Sequence, residues 1–166
     1  HNASSRIAEI MGVTDERFLA RQRESILSAE GDTHVRLRRL VAPAFTPRQA
    51  DRLRPFMRDV INGLVDKVAA TGRADIAVDV CEPYPIPIIC ELLGAPKSDW
   101  QLFSRLANDI LEIFSLDMAS KIDLILQTQA ELDGYTNQLI ADRRNHPADD
   151  LITDLIAAEQ QGDRLS

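Results

Sequence analysis

The sequence predicts an all-α fold, and two observations carry that reading. Apolar residues recur three and four positions apart along most of the chain, the spacing that lines one face of a helix. Helix-start signals also stand where such periodic runs begin, at Thr46-Pro47-Arg48-Gln49 and at Ser98-Asp99-Trp100-Gln101.

Taken in order, residues 1–31 are the least regular part and are expected to form an irregular lead-in, with residues 32–166 helical. Asp32 or Thr33 can cap a helix that runs to about Ala42, where Pro43 stops or kinks it. The Thr46-Pro47 signal starts a longer helix carrying Leu53, Phe56, Met57, Val60, Leu64, Val65 and Val68, closed by Thr71-Gly72. Ala74–Val78 is short and β-permissive. Pro83, Pro85 and Pro87 argue against a regular helix through all three, so the next helix is expected over Ile88–Leu93, ended by Gly94 and Pro96. The Ser98–Gln101 box starts a helix with Leu102, Phe103, Leu106, Ile110 and Phe114. A long helix follows from about Ser120 to Arg144. After Pro147 a last one carries Leu151, Ile152, Leu155 and Ile156, and Gly162 can end it.

Composition bounds the function classes. The chain has 166 residues, 45% hydrophobic and 27% charged, which suits one domain with a core. Lys and Arg number 19 against 26 Asp and Glu, a formal charge of −7, so a general nucleic-acid binder is not expected. Cys81 and Cys90 lack disulfide-framework or metal-ligand spacing, and His1, His34 and His146 are scattered. No metal site is expected from these. No apolar run of about 18 residues suggests a membrane span, and no signal-peptide pattern opens the chain. A cytoplasmic protein with no membrane partner is the expectation.

The stretch that carries chemistry is His34 to Phe45. At ~100° per residue, His34 and Arg38 fall on the side that carries Leu37, Val41 and Phe45, while Arg36 and Arg39 point away. An arginine on an apolar face cannot shed its charge and needs an anion or several acceptors. With His34 it makes a cradle for a carboxylate on an otherwise apolar ligand. An internal ion pair of Arg38, for example with Glu30, Asp32 or an acid from another helix, satisfies the same residues, and geometry alone favours that pair, because buried arginines are more often structural than ligand-binding.

Ile26-Leu27-Ser28 followed by Gly31-Asp32-Thr33-His34-Val35-Arg36-Leu37-Arg38-Arg39-Leu40-Val41-Ala42-Pro43-Ala44-Phe45-Thr46-Pro47-Arg48 resembles the C-helix signature of bacterial cytochrome P-450 enzymes, H-x-x-x-R-R-x-V-x-x-A-F-T/S-P-R. Further pieces match in the family's order. Gly72–Ile76 resembles the segment after the D helix, and Pro85–Pro96 the E helix. Asp149–Leu155 resembles the start of the H helix, and Gln161–Ser166 the linker before the I helix. The resemblance covers nearly all of residues 25–166.

It implies a single partial domain over 1–166: helices C to H of the cytochrome P-450 fold, without the I helix and the C-terminal haem-binding half. It implies that His34 and Arg38 meet haem propionates and that Ile26 and Leu27 line the substrate pocket. Arg36 and Arg39 would lie on the surface where a ferredoxin-type electron donor docks. The helices at about 98–117 and 120–145 become the family's F and G elements, which roof the pocket. The complete parent would use haem b and electrons from that donor to insert one atom of O2 into a small apolar substrate.

The family's other motifs are absent. Neither Cys81 nor Cys90 sits in the iron-ligand loop, no Glu has Arg three residues later, and the oxygen-activating I-helix segment is not present. The chain is therefore expected to be a fragment with no catalytic residue of its own, inactive, holding no haem stably and able to self-associate. The rival reading is a non-enzymatic helical ligand-binding or dimerisation module with Arg38 held by an internal acid.

Overall fold

A computed structural model describes Ile10 and residues 12–160. Among the described residues every regular element is helical: α1 (Glu16–Glu24), α2 (Gly31–Val41), α3 (Pro47–Ala69), α4 (Pro85–Leu93), α5 (Trp100–Leu111), α6 (Ile122–Asn145) and α7 (Leu151–Gln160), with short 3-10 or π turns between them.

α1 departs from the expected irregular lead-in. Asp15 caps it, accepting from the Arg17 N–H at 2.8 Å and from the Phe18 N–H at 3.4 Å. Glu16 lies in its positive first turn, and Arg21 and Arg23 in its negative last turn. α2 starts one residue before the expected caps. Gly31 takes φ +56°, and Glu30 is the N-cap without a side-chain cap bond.

α3 begins at Pro47 as the sequence indicates, and the Ala50 N–H donates to the Thr46 carbonyl at 3.0 Å. It continues through Pro55, which removes one ladder bond in the exposed part of the helix. The β-permissive segment is instead a π turn over Ala77–Cys81. The Asp75 carboxylate accepts from the N–H groups of Ala77 (3.0 Å) and Val78 (3.3 Å), and Asp79 accepts from the Asp75 N–H at 2.8 Å. These local bonds offer the backbone a turn in place of a strand.

α4 is longer than expected. Pro85 and Pro87 fall in its first turn, where N–H groups lack helical partners anyway. Gly94 ends it at φ +75°. Ser98 does not cap α5. Its hydroxyl donates to Asp99 Oδ1 at 2.8 Å, and a 3-10 turn over Lys97–Asp99 leads in. α5 stops at Leu111, before Phe114. α6 matches its expected range within two residues. α7 ends at Gln160, and the Gly162 stop lies outside the described residues.

Neighbours in sequence pack as neighbours in space: α3 on α4, α4 on α5, α5 on α6, and α6 on α7. One apolar cluster joins Val13, Phe18 and Leu19 to Met118, Ile122 and Ile125 at the start of α6. A second joins Cys90, Ala95 and Phe103, flanked by Trp100, Leu132 and Tyr135. Phe103 and Tyr135 meet edge to face at 5.0 Å, and the Tyr135 hydroxyl donates to Asp99 Oδ2 at 2.7 Å.

A buried ion pair clasps the ends of three helices. Arg143 of α6 donates through Nε to Asp150, just before α7, and through Nη2 to the Gly94 carbonyl at 2.7 Å. The Thr153 N–H donates to the other Asp150 oxygen at 2.9 Å. Burial alone would push the Asp150 carboxyl up. The Arg143 guanidinium and the Thr153 donors outweigh it and hold the group below its ordinary value.

Candidate functional site

α2 carries the residues singled out for chemistry. Its buried residue is Leu40, at 5% exposure, and the helix lies against α7. Arg36, Leu37 and Val41 are half-buried beside it. This corrects the expected orientation. Arg36 is on the packed side, not the outer one, and Phe45, at 65% exposure, belongs to no core. The reason is angular. Relative to Leu40, Arg36 lies about 40° away and Arg38 about 160° away at 100° per residue.

His34 and Arg38 remain together, about 40° apart on the wheel and one turn apart along the axis. The face they share is one this chain leaves open. Arg38 is exposed and His34 half-buried. Neither side chain has a hydrogen-bond or ion-pair partner among the described residues, so the internal pair with Glu30 or Asp32 is not formed. Val35, 65% exposed, lies about 60° from Arg38 on the same helix. Two nitrogen donors on an open, partly apolar helix face suit an acidic group on an apolar body.

The other expected residues divide. Arg39 is exposed, and both Arg36 and Arg39 have interaction partners. Ile26 is half-buried and Leu27 is 88% exposed, in a turn where the Leu27 N–H donates to Ser25 Oγ at 3.3 Å. The structure does not gather Ile26 and Leu27 into a closed pocket with α5 and α6. Phe114 and Leu116, between those helices, stand 77% and 99% exposed.

Cys90 is not poised as a thiolate. Cys90 is fully buried, and burial pushes its thiol up to about 11. Cys81 is exposed. Among the described residues no three His, Cys, Asp or Glu side chains come together as a metal site. No described helix is long and apolar enough to cross a membrane.

The class so defined is an all-helical segment with an open His/Arg pair on one helix. Comparison with known proteins gives the family. The chain is 39% identical over 142 residues to the mycinamicin IV hydroxylase/epoxidase of Micromonospora griseorubida, matching 85% of this chain and 35% of that protein. Among solved structures, CalO2 superposes with a TM-score of 0.81 at 25% identity, covering 99% of this chain and 41% of that one. The bacillaene polyketide synthase cytochrome P-450 of Bacillus subtilis superposes at 0.77 with 35% identity, covering 87% and 36%. No family model matches the chain. By sequence and by fold the chain belongs to the bacterial cytochrome P-450 family. It spans about a third of the length of the curated relatives it matches.

Proposed function

We propose that this chain is the part of a cytochrome P-450 monooxygenase that grips the acidic edge of haem b and helps enclose the substrate. The observation that carries this reading is the His34/Arg38 pair. Two donors one turn apart on α2, without partners among the described residues, match the two propionates of a haem. Bound haem supplies the iron at which O2 is activated. The residues here orient and hold. Arg38 gives a fixed fork of N–H donors, and His34 adds one further donor. The iron ligand lies in none of the described residues, so the chain alone is inactive and retains no haem stably.

The remaining assignments follow from the same reading. Arg39, exposed on α2, faces an acidic ferredoxin-type donor, whose approach a positive surface accelerates, and Arg36, half-buried on the packed side, adds its charge from behind that surface. The substrate is a small apolar molecule, with Ile26 and Leu27 on its boundary and α5 and α6 above it. The protein works in the cytoplasm without nucleic acid or membrane. The open apolar side chains Leu27, Val35, Phe45, Phe114 and Leu116 make the isolated chain self-associate. A non-enzymatic binding module is not favoured, because the internal acid it needs for Arg38 is not there among the described residues.

The test is optical. The full-length gene product, reduced and exposed to carbon monoxide, should give the red-shifted Soret band of a thiolate-ligated haem. A protein that binds haem without that band, or binds none, refutes the proposal.

A further inference from the structure

α3 contains a glycine that its own packing does not require. Gly63 sits in the interior of a 23-residue helix, with φ in the ordinary negative range. A Cβ built there meets no atom within 4 Å. Glycine inside a helix lowers its stability relative to alanine, since it adds chain entropy to the unfolded state. No close approach among the described residues repays that loss.

What Gly63 does is open a groove. The cleft between α3, the start of α4 and the start of α5 holds about 440 Å³, within the roughly 300–1,000 Å³ of small-molecule sites. Phe56, Val60, Leu64, Ile86 and Trp100 give it an apolar floor. One end is closed by an aromatic corner. Phe56 and Trp100 meet edge to face at 6.3 Å, and the Lys97 ammonium lies 6.0 and 5.9 Å from their centroids. Lys67 stands on the lining at the other end, eleven residues along α3 from Phe56, which is about 16 Å at 1.5 Å per residue.

Charge makes the two ends different. Asp59 and Lys97 both line the groove toward the Phe56 end, where their formal charges sum to zero, and Lys97 is already seated over two rings. Lys67 has no ion-pair partner among the described residues. The groove is therefore neutral and aromatic at one end, apolar along its length and positive at the other.

We propose that this groove binds an amphipathic organic monoanion: a carboxylate held by Lys67, with an extended hydrocarbon body lying past Gly63 to the Phe56–Trp100 corner. The length suits a chain of the dodecyl class. The site shares no residue with His34, Arg38, Ile26 or Leu27 and meets the pocket roof only at the start of α5, so its binding test reads apart from haem retention.

Trp100 is the sole tryptophan of the chain and reports the site directly. Its emission should change saturably when dodecanoate is added below its micelle concentration. Dodecanol should bind at least tenfold more weakly, and dodecyltrimethylammonium weaker still. Lys67→Gln should cost dodecanoate at least tenfold in affinity and leave dodecanol unchanged. Lys97→Gln, at the neutral end, should alter dodecanoate affinity less than threefold. Gly63→Leu fills the groove and should abolish binding while helical circular dichroism is kept. If that variant loses its helical signal, Gly63→Ala serves. It should melt higher than the parent yet bind dodecanoate less tightly. The proposal is overturned if dodecanoate leaves Trp100 emission unchanged, if the cationic or neutral chain binds as well, or if the folded Gly63 variant binds like the parent.

Discussion

Arg143→Ala is expected to be among the most destabilising single changes in this chain. The side chain is 14% exposed and its partner Asp150 only 3%. Truncation removes the bond to Asp150 and the bond to the Gly94 carbonyl, leaving a buried carboxylate with the Thr153 N–H as its remaining backbone donor. Removing one partner of a buried pair costs about 3–5 kcal/mol, and the retained Thr153 bond points to the lower end, about 3 kcal/mol. For a chain of this size that is a fall in melting temperature of about 6–12 °C. Urea and thermal unfolding followed by helical circular dichroism measure it.

The deficit should also depend on pH. In the parent, Asp150 is held below its ordinary value, so it contributes stability above the unfolded value of about 3.9 and loses it as pH falls through the folded value. In Arg143→Ala burial persists without the cation, and the carboxyl rises above its unfolded value. It then opposes folding at neutral pH and ceases to do so when protonated. The gap between parent and variant should be widest near pH 7 and narrow toward pH 4. Arg143→Met combined with Asp150→Leu should recover most of the loss, because the buried charge is gone. A deficit under about 1 kcal/mol, the size of a surface pair, or one flat with pH, would refute the clasp.

Gly94→Ala should cost at least about 2 kcal/mol in urea unfolding, from the left-handed backbone and from a Cβ driven against the Asp150 carboxylate and Arg143 Nη2. Gly72→Ala, at φ +64° with nothing within 4 Å, should cost only the backbone part, so equal losses would count against the clasp. Of the two thiols, Cys81 should react with iodoacetamide in the folded chain and Cys90 only after denaturation; peptide mapping that finds both labelled together contradicts the packing of α4. Phe114→Glu with Leu116→Glu should shift the isolated chain toward monomer in sedimentation velocity, and an unchanged distribution would place self-association elsewhere.

Most of the helical order was legible because helix stops and starts are local chemistry. Thr46-Pro47, Gly94 and the periodic run of α6 mark boundaries within a few residues. α1 was missed although Asp15-Glu16 is a sound start, since only Phe18 and Leu19 are buried within its nine residues and the period is too short to count. The turn at Ala77–Cys81 was misread because carboxylate bonds from Asp75 and Asp79 decide it, not β propensity.

The candidate site was half legible. The i, i+4 relation of His34 and Arg38 follows from helix geometry alone. Which face of α2 is buried does not, because both Leu37 and Leu40 are apolar, and contact with α7 chooses Leu40. The Arg143–Asp150 clasp and the groove at Gly63 depend on where separate helices meet, and no spacing in the sequence announces either.

Haem retention tests the central claim most directly. In the full-length protein, Arg38→Ala and Arg39→Ala differ by one position on α2 and by about 100° around it. The haem-to-protein ratio after gel filtration, read from the Soret absorbance, should fall markedly for Arg38→Ala. A charge-assisted bond of roughly 1.5–3 kcal/mol corresponds to about a ten- to hundredfold weaker hold. Arg39→Ala should keep its haem and instead be reduced more slowly by an acidic donor at low salt. Full haem in Arg38→Ala beside loss in Arg39→Ala would contradict the assignment of the propionate face.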